Sequence, residues 1–149
     1  MLPQKTKKLK SLKVLVAIKK LKNLNVRTYG CDPQILFDQL KSVKTLKKLK
    51  IQATKTTTFH QSFIDFLSLQ TDLEKLDLSV RELHEIFTKN SNFNFKLKEL
   101  TLHDSCFRRK EHKSLKKFLL TQKQCLEKLC VLSWCEEKIT EEIYQLEKL

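Results

Sequence analysis

One six-residue pattern, L-x-x-L-x-[L/I/V], recurs five times and constrains the fold of this chain more than any other feature. The copies are LKNLNV from Leu21, LKKLKI from Leu46, LEKLDL from Leu73, LKELTL from Leu97 and LEKLCV from Leu126. Successive copies begin 25, 27, 24 and 29 residues apart. Such a period indicates a stack of similar units, because one short unit cannot bury its apolar side alone and must lie against the next.

Each copy of the pattern and the segment that follows it predict different secondary structure. The second and third apolar positions of a copy are two residues apart, so both side chains would point to one face of a strand. Between copies, apolar residues recur three or four apart in residues 35–46, 63–73 and 115–126, which is helical periodicity. We therefore predict strand, loop and helix in every repeat.

The pattern and its spacing resemble the leucine-rich repeat. The resemblance implies an α/β solenoid of about five to six repeats, a right-handed horseshoe of strand and helix units. Its parallel sheet would line the concave face, because a helix is wider than a strand. Two inward ladders are expected. They consist of Leu24, Leu49, Leu76, Leu100 and Leu129, and of Val26, Ile51, Leu78, Leu102 and Val131. A helical bundle is the alternative, and the two-apart spacing argues against it.

The two ends of the chain fit the repeat less well. Leu9-Leu12-Val14 imitates the pattern but begins only 12 residues before Leu21, so we assign residues 1–20 to a basic N-terminal segment or a partial first repeat. Residues 21–149 are predicted to form the repeat domain, truncated in its last repeat at Leu146–Leu149. Because no capping sequence is visible, we expect a fragment of a longer protein.

Two helices carry a further resemblance. Phe66–Gln70 precedes LEKLDL and Phe118–Gln122 precedes LEKLCV, in the form F-L-x-x-Q followed by L-E-x-L. With Cys125, Cys135 and the I-T-E-E sequence of Ile139–Glu142, they resemble the repeat region of F-box proteins. The resemblance implies a substrate-recognition role in an SCF-type ubiquitin ligase, with the ligase adaptor as a partner only where an F-box lies outside this chain.

This sequence departs from that family in two ways. It contains no F-box. The Asn or Cys expected three residues after each strand's last apolar position is replaced by Tyr29, Thr54, Arg81, Ser105 and Trp134.

Positive charge is concentrated near the N-terminus. The chain carries a formal charge of +13, and residues 1–58 hold 15 Lys/Arg against only Asp32 and Asp38, whereas residues 59–149 hold 15 of each sign. The asymmetry indicates a basic arm, a basic binding face or a solvated lysine-rich surface.

Enzymatic, metal and nucleotide sites are not predicted. The four histidines fall in different repeats or inter-repeat segments, and a metal site at His103, Cys106 and His112 would need a fourth ligand. The only glycine is Gly30, which excludes the usual phosphate-binding loops. We therefore expect no catalytic residue, no metal and no cofactor.

Cysteine usage and hydropathy predict an intracellular protein of the cytoplasm, the nucleus or both. The five cysteines are an odd set without a CxxC pair, which favours reduced thiols over a disulfide framework. The apolar run Val14–Ile18 is too short for a signal-peptide core, and no stretch is long enough to span a membrane.

The predicted binding residues lie between the ladder positions, where strand alternation turns them to solvent on the concave face. They are Lys22, Asn25, Arg27, Lys47, Lys48, Lys50, Gln52, Lys75, Asp77, Ser79, Lys98, Thr101, His103, Lys128 and Cys130. This face grades from basic to mixed. We predict a protein–protein interaction scaffold in which an acidic partner segment docks over the first two repeats, with Glu74 and Asp77 fixing its orientation by like-charge exclusion.

Two alternatives remain open. Lysines from Lys5 to Lys22 could contact nucleic acid, although no aromatic residue lies among them to stack on bases. Residues 7–22 could instead form a basic amphipathic helix on an anionic membrane surface or serve as a nuclear import signal.

Overall fold

The computed structural model describes residues 20–28, 33–53, 61–79, 83–89, 93–104 and 109–133. Strands and helices alternate along these ranges. They are β1 (Asn23–Arg27), α1 (Pro33–Leu40), β2 (Lys48–Gln52), α2 (Gln61–Ser68), β3 (Lys75–Ser79), α3 (Leu83–Lys89), β4 (Glu99–Asp104), α4 (Arg109–Gln122) and β5 (Lys128–Ser133). The predictions for residues 1–19 and for the last repeat beyond residue 133 lie outside the described residues.

The five strands form one all-parallel sheet in chain order, from β1 to β5. Leu24, Leu49, Leu76, Leu100 and Leu129 align across the strands, and the second ladder aligns two residues further on. The ladder residues of β2, β3 and β4 are buried, and those of β5 are half-buried. The fold is therefore α/β, with parallel strands alternating with helices, and both predicted ladders are confirmed. This arrangement is compatible with a solenoid-like stack.

A repeated backbone contact joins each strand to the next just before the strands begin. The carbonyl of Lys22 accepts hydrogen bonds from the amides of Lys47 at 2.8 Å and Lys48 at 3.0 Å. The carbonyls of Lys47, Glu74 and Lys98 accept the equivalent pairs at 2.8 to 3.1 Å. In all four cases the acceptor is the residue that follows the first leucine of a pattern, so this position stays in register although it precedes the strand.

The helices end earlier than their periodicity predicted. α1 ends at Leu40, α2 at Ser68 and α4 at Gln122, whereas apolar spacing continues to residues 46, 73 and 126. Val43 and Leu46 are nevertheless fully buried. The chain must leave the helix and turn into the strand over these residues, so their side chains fill the core from an irregular backbone.

Aromatic rings pack the helices onto the sheet in two groups. Phe37 of α1 lies 4.7 Å from Phe63 and 5.4 Å from Phe66 of α2, measured between ring centroids. In the second group Phe118 of α4 stacks on Phe87 of α3 at 4.5 Å. Phe93 and Phe95 approach the same Phe118 ring from the segment before β4, at 5.8 and 6.4 Å.

The glutamines of the two F-L-x-x-Q segments are buried and bond to the preceding repeat. Gln70 Nε2 donates to the carbonyl of Val43 at 2.7 Å, and Gln122 Oε1 accepts from the amide of Leu97 at 2.9 Å. A buried backbone group costs free energy when it is left unpaired. These glutamines therefore supply polar links between neighbouring strand and helix units.

Candidate functional site

The candidate site is the face of the sheet opposite the helices, which we call the outward face. It consists of the strand positions between the ladder residues, together with the residues directly before each strand. Three rows cross the strands in register. They are Asn23, Lys48, Lys75, Glu99 and Lys128; then Asn25, Lys50, Asp77, Thr101 and Cys130; then Arg27, Gln52, Ser79, His103 and Leu132.

The sequence-predicted site residues all fall on or beside these rows. Twelve of the fifteen lie in the strands, and Lys22, Lys47 and Lys98 directly precede them as exposed residues. Neighbouring strands are about 4.8 Å apart, so side chains in one row lie close together. The structure thus brings the predicted residues into one surface, and it also shows which of them interact.

Glu99 is the carboxylate of the first row. The Lys75 ammonium donates a hydrogen bond to it from the adjacent strand. That hydrogen bond, with the positive charges of Lys128 and Lys48, holds the pKa of Glu99 below its ordinary value. Glu99 therefore stays ionised in mildly acidic solution and offsets part of the lysine charge in its row.

Glu74 precedes β3 and lies between two lysines of the neighbouring repeats. Its Oε1 is 3.4 Å from Lys47 Nζ, and its Oε2 is 3.3 Å from Lys98 Nζ. Hydrogen bonds from Lys98 and Lys47 lower the pKa of Glu74 from its ordinary value. One carboxylate thus links three successive repeats.

Asp77 is the carboxylate of the second row, and it also lies between two basic side chains. Lys50 Nζ lies 2.9 Å from Asp77 Oδ2, and His103 Nε2 lies 3.4 Å from Asp77 Oδ1. Oδ1 is buried and accepts no hydrogen bond within the described residues. The middle of the outward face is therefore a set of ion pairs centred on Glu74, Asp77 and Glu99.

The β1–β2 part of the outward face has a different electrostatic character. Lys22, Arg27 and Lys48 are exposed, and none of them forms an ion pair with a carboxylate in the described residues. Residues 20–28 and 41–53 contain no Asp or Glu. We call Lys22, Arg27 and Lys48 the unpaired cations. With the exposed amides Asn23 and Asn25 they form a surface rich in hydrogen-bond donors.

The opposite end of the face is less polar. Thr101 and Cys130 are half-buried neighbours in the second row, and Leu132 is 52% exposed in the third. Cys125 and Cys130 are free thiols. Among the described residues, no group of three or more His, Cys, Asp or Glu side chains could hold a metal ion. Of the three residues considered as metal ligands, Cys106 and the side chain of His112 lie outside what the structure describes.

The ion pairs were not anticipated from the sequence, although a signal for them was present. Lys50 and Asp77, Lys75 and Glu99, and Lys47 and Glu74 each carry opposite charges at neighbouring repeat positions. Cross-strand pairs of opposite charge stabilise a sheet. Aligning the repeats places each of these three pairs at neighbouring positions, and the structure adds that their side chains meet.

By architecture, the chain is an α/β protein with a five-stranded parallel sheet alternating with helices. A scan of protein-family models, a search of curated proteins and a search of solved structures each returned no match. In the described part of the chain, no helix is both long and apolar enough to cross a membrane.

Proposed function

We propose that this chain is a non-enzymatic scaffold that binds an acidic segment of a partner protein on the β1–β2 part of its outward face. The observation that carries the proposal is the set of unpaired cations, Lys22, Arg27 and Lys48, beside a central region whose lysines are already neutralised. A carboxylate arriving at β3 or β4 would compete with Glu74, Asp77 or Glu99 for its cation. At Lys22, Arg27 and Lys48 it meets no described carboxylate that already pairs with the cation.

The geometry of the unpaired cations specifies the partner segment further. Arg27 is paired with Gln52, four residues beyond Lys48 on the adjacent strand. At about 3.3 Å per residue, the two cations lie roughly 13 Å apart along the strand direction. An extended partner segment running along the strands would contact both with acidic residues at positions i and i+4.

Glu74 and Asp77 would limit how far the partner segment extends across the sheet. Both carboxylates lie at β3, next to the proposed surface, where they repel the acidic groups of a partner. Their own lysine partners, Lys47 and Lys50, come from the β2 repeat. The partner is therefore expected to lie over β1 and β2 and to stop short of β3.

We also propose that the repeats are leucine-rich repeats of an intracellular protein, and that an SCF-type ubiquitin ligase is the assembly they serve. The recurring pattern, its period and the in-register parallel sheet support the repeat type. The F-L-x-x-Q and L-E-x-L segments support the link to F-box proteins. Reading the transcript beyond both ends tests this link, which predicts an upstream F-box.

Reversing the charge of the β1–β2 surface tests the binding proposal. We expect the Lys22→Glu, Arg27→Glu, Lys48→Glu triple variant to bind a labelled extended peptide with glutamates at i and i+4 at least about tenfold more weakly, a difference of ~1.4 kcal/mol. The loss follows because two attractive contacts become repulsive. Fluorescence anisotropy measures the affinity, and circular dichroism verifies that the fold is retained.

A matched variant controls for net charge. Lys20, Lys44 and Lys96 are exposed outside the outward face, so replacing all three with glutamate changes the charge equally without touching the surface. This control should retain most of the peptide affinity. Equal loss in both variants, or unchanged binding by the first, would reject the proposed site.

A further inference from the structure

A second basic surface lies on α4, on the helix side of the sheet. Lys113, Lys116 and Lys117 are exposed, and their spacing of three and one places them on one side of the helix. Leu115, Phe118 and Leu119 point the other way and are buried. We call Lys113, Lys116 and Lys117 the α4 lysines.

No described carboxylate neutralises the α4 lysines. They form no ion pair within the described residues, whereas Lys41 beside α1 pairs with Asp38 at 2.8 Å. The adjacent helix α3 presents the exposed residues Thr88 and Lys89, and Thr88 Oγ1 lies 2.8 Å from Ser114 Oγ of α4. The helix that packs beside α4 thus carries the exposed Lys89 in its last turn and the half-buried Glu85 in its first.

The overall charge balance conceals this cluster. Residues 59–149 hold equal numbers of basic and acidic residues, but residues 109–125 contain six Lys/Arg against Glu111 alone. On α1 and α2, by contrast, the acidic side chains of Asp38 and Asp65 are exposed. The basic surface is therefore local to α4 and separate from the sheet.

The chemistry of this surface selects among anionic partners. A membrane-binding helix inserts an apolar face, but the apolar face of α4 is in the core and Leu120, 46% exposed, is the only large apolar side chain that it presents among the described residues. Base stacking needs exposed aromatic rings, and Phe118 is fully buried. The surface is therefore suited to contacts between lysine ammonium groups and closely spaced phosphates, which a nucleic-acid backbone presents.

We infer that the α4 lysines bind the phosphodiester backbone of a duplex nucleic acid without reading its sequence. Lysines three and four positions apart have Cβ atoms about 5 to 6 Å apart, close enough to engage successive phosphates along one strand. Lysine is a point-charge donor suited to phosphate oxygens. The site lies on the helix side, so it leaves the outward face free for a protein partner.

Salt dependence of duplex binding tests the inference on the full chain. A labelled 20-base-pair DNA duplex of random sequence is titrated by fluorescence anisotropy between about 50 and 200 mM salt, and an RNA duplex of the same length is titrated in parallel. We expect binding to weaken steeply with salt. The Lys113→Gln, Lys116→Gln, Lys117→Gln variant should reduce the slope of log affinity against log salt by about 2 to 3, close to one unit per lost phosphate contact.

The control removes the same charge elsewhere. The variant Lys20→Gln, Lys44→Gln, Lys96→Gln should keep most of the slope, and both variants should retain the parent unfolding transition because all six lysines are exposed. Binding to either duplex with loss confined to the α4 variant supports the inference. Equal loss in the two variants, absence of duplex binding at low salt, or binding only to vesicles containing phosphatidylserine overturns it.

The two surfaces can also be separated by their ligands. The α4 variant should bind the acidic peptide like the parent chain, and the Lys22, Arg27, Lys48 variant should retain most of the duplex-binding slope. If charge reversal on the sheet removed duplex binding while the α4 variant retained it, the nucleic-acid site would lie on the outward face and the inference would fail.

Discussion

Replacing Phe118 with alanine is expected to lower the free energy of unfolding by about 3 to 5 kcal/mol, measured by urea denaturation followed by circular dichroism. Phe118 has no exposed surface, and its ring contacts Phe87, Phe93 and Phe95. These partners belong to α3 and to the segment before β4. Removing the ring therefore opens a cavity where α4, α3 and the sheet meet.

Leu120 on the same helix provides the control. It is nearly half exposed, so Leu120→Ala should change stability by no more than about 0.5 kcal/mol. If Phe118→Ala does not fold, Phe118→Leu retains much of the apolar volume and should give a smaller measurable loss. A Phe118→Ala variant within about 1 kcal/mol of the parent would show that this aromatic group does not hold the helices to the sheet.

Leu78→Ala should cost about 2 to 5 kcal/mol in the same measurement. Leu78 is fully buried in the middle strand, and its ladder neighbours are Ile51 and Leu102. A cavity at this position weakens packing toward both neighbouring repeats. Leu129→Ala, at a half-buried position of β5, should cost less. The reverse order would contradict a core that runs continuously through the stack.

The strands and their alignment could be predicted from the sequence because two periodicities agree. Alternation within a copy places Leu76 and Leu78 on one face, and the repeat period places each beside its equivalent in the next strand. Helix boundaries could not be predicted in the same way. Val43 and Leu46 continue the apolar spacing of α1, but the turn into β2 makes an extended or irregular backbone necessary there.

Helix α3 was predicted only from the rule that every repeat contains a helix, because its segment does not align with the other three inter-strand segments. The available signal was Leu83, Ile86 and Phe87, which are three and one apart. The helix has seven residues, so its apolar positions cover little more than one helical turn and give only a weak helical pattern. Tertiary packing supplies the rest, because Phe87 stacks on Phe118.

The composition of the outward face was predictable, whereas its electrostatics were not. Strand alternation was sufficient to assign Lys50, Asp77 and His103 to one surface. The leucine pattern places Lys50 beside Asp77, but whether the two side chains meet depends on their conformations, which that pattern does not specify. The net charge of residues 59–149 does not indicate the α4 lysines, because acidic residues elsewhere in that range cancel their charge.

The in-register alignment of the five strands decides which side chains share the outward face, and an engineered disulfide tests it directly. Thr101 of β4 is the register partner of Cys130 of β5. Paired residues on neighbouring strands are about 4.8 Å apart, within the Cα separation that a disulfide spans, whereas a residue two positions away lies at roughly 8 Å. Thr101→Cys is compared with Glu99→Cys and His103→Cys after mild oxidation.

All three variants carry serine at the other four cysteines, so that Cys130 is the only native thiol. Mass spectrometry and thiol titration then measure intramolecular bridging. The parallel, in-register stack predicts that Cys130 forms a disulfide with the cysteine at position 101 and leaves those at positions 99 and 103 reduced. Bridging at position 99 or 103 as readily as at position 101 would contradict it.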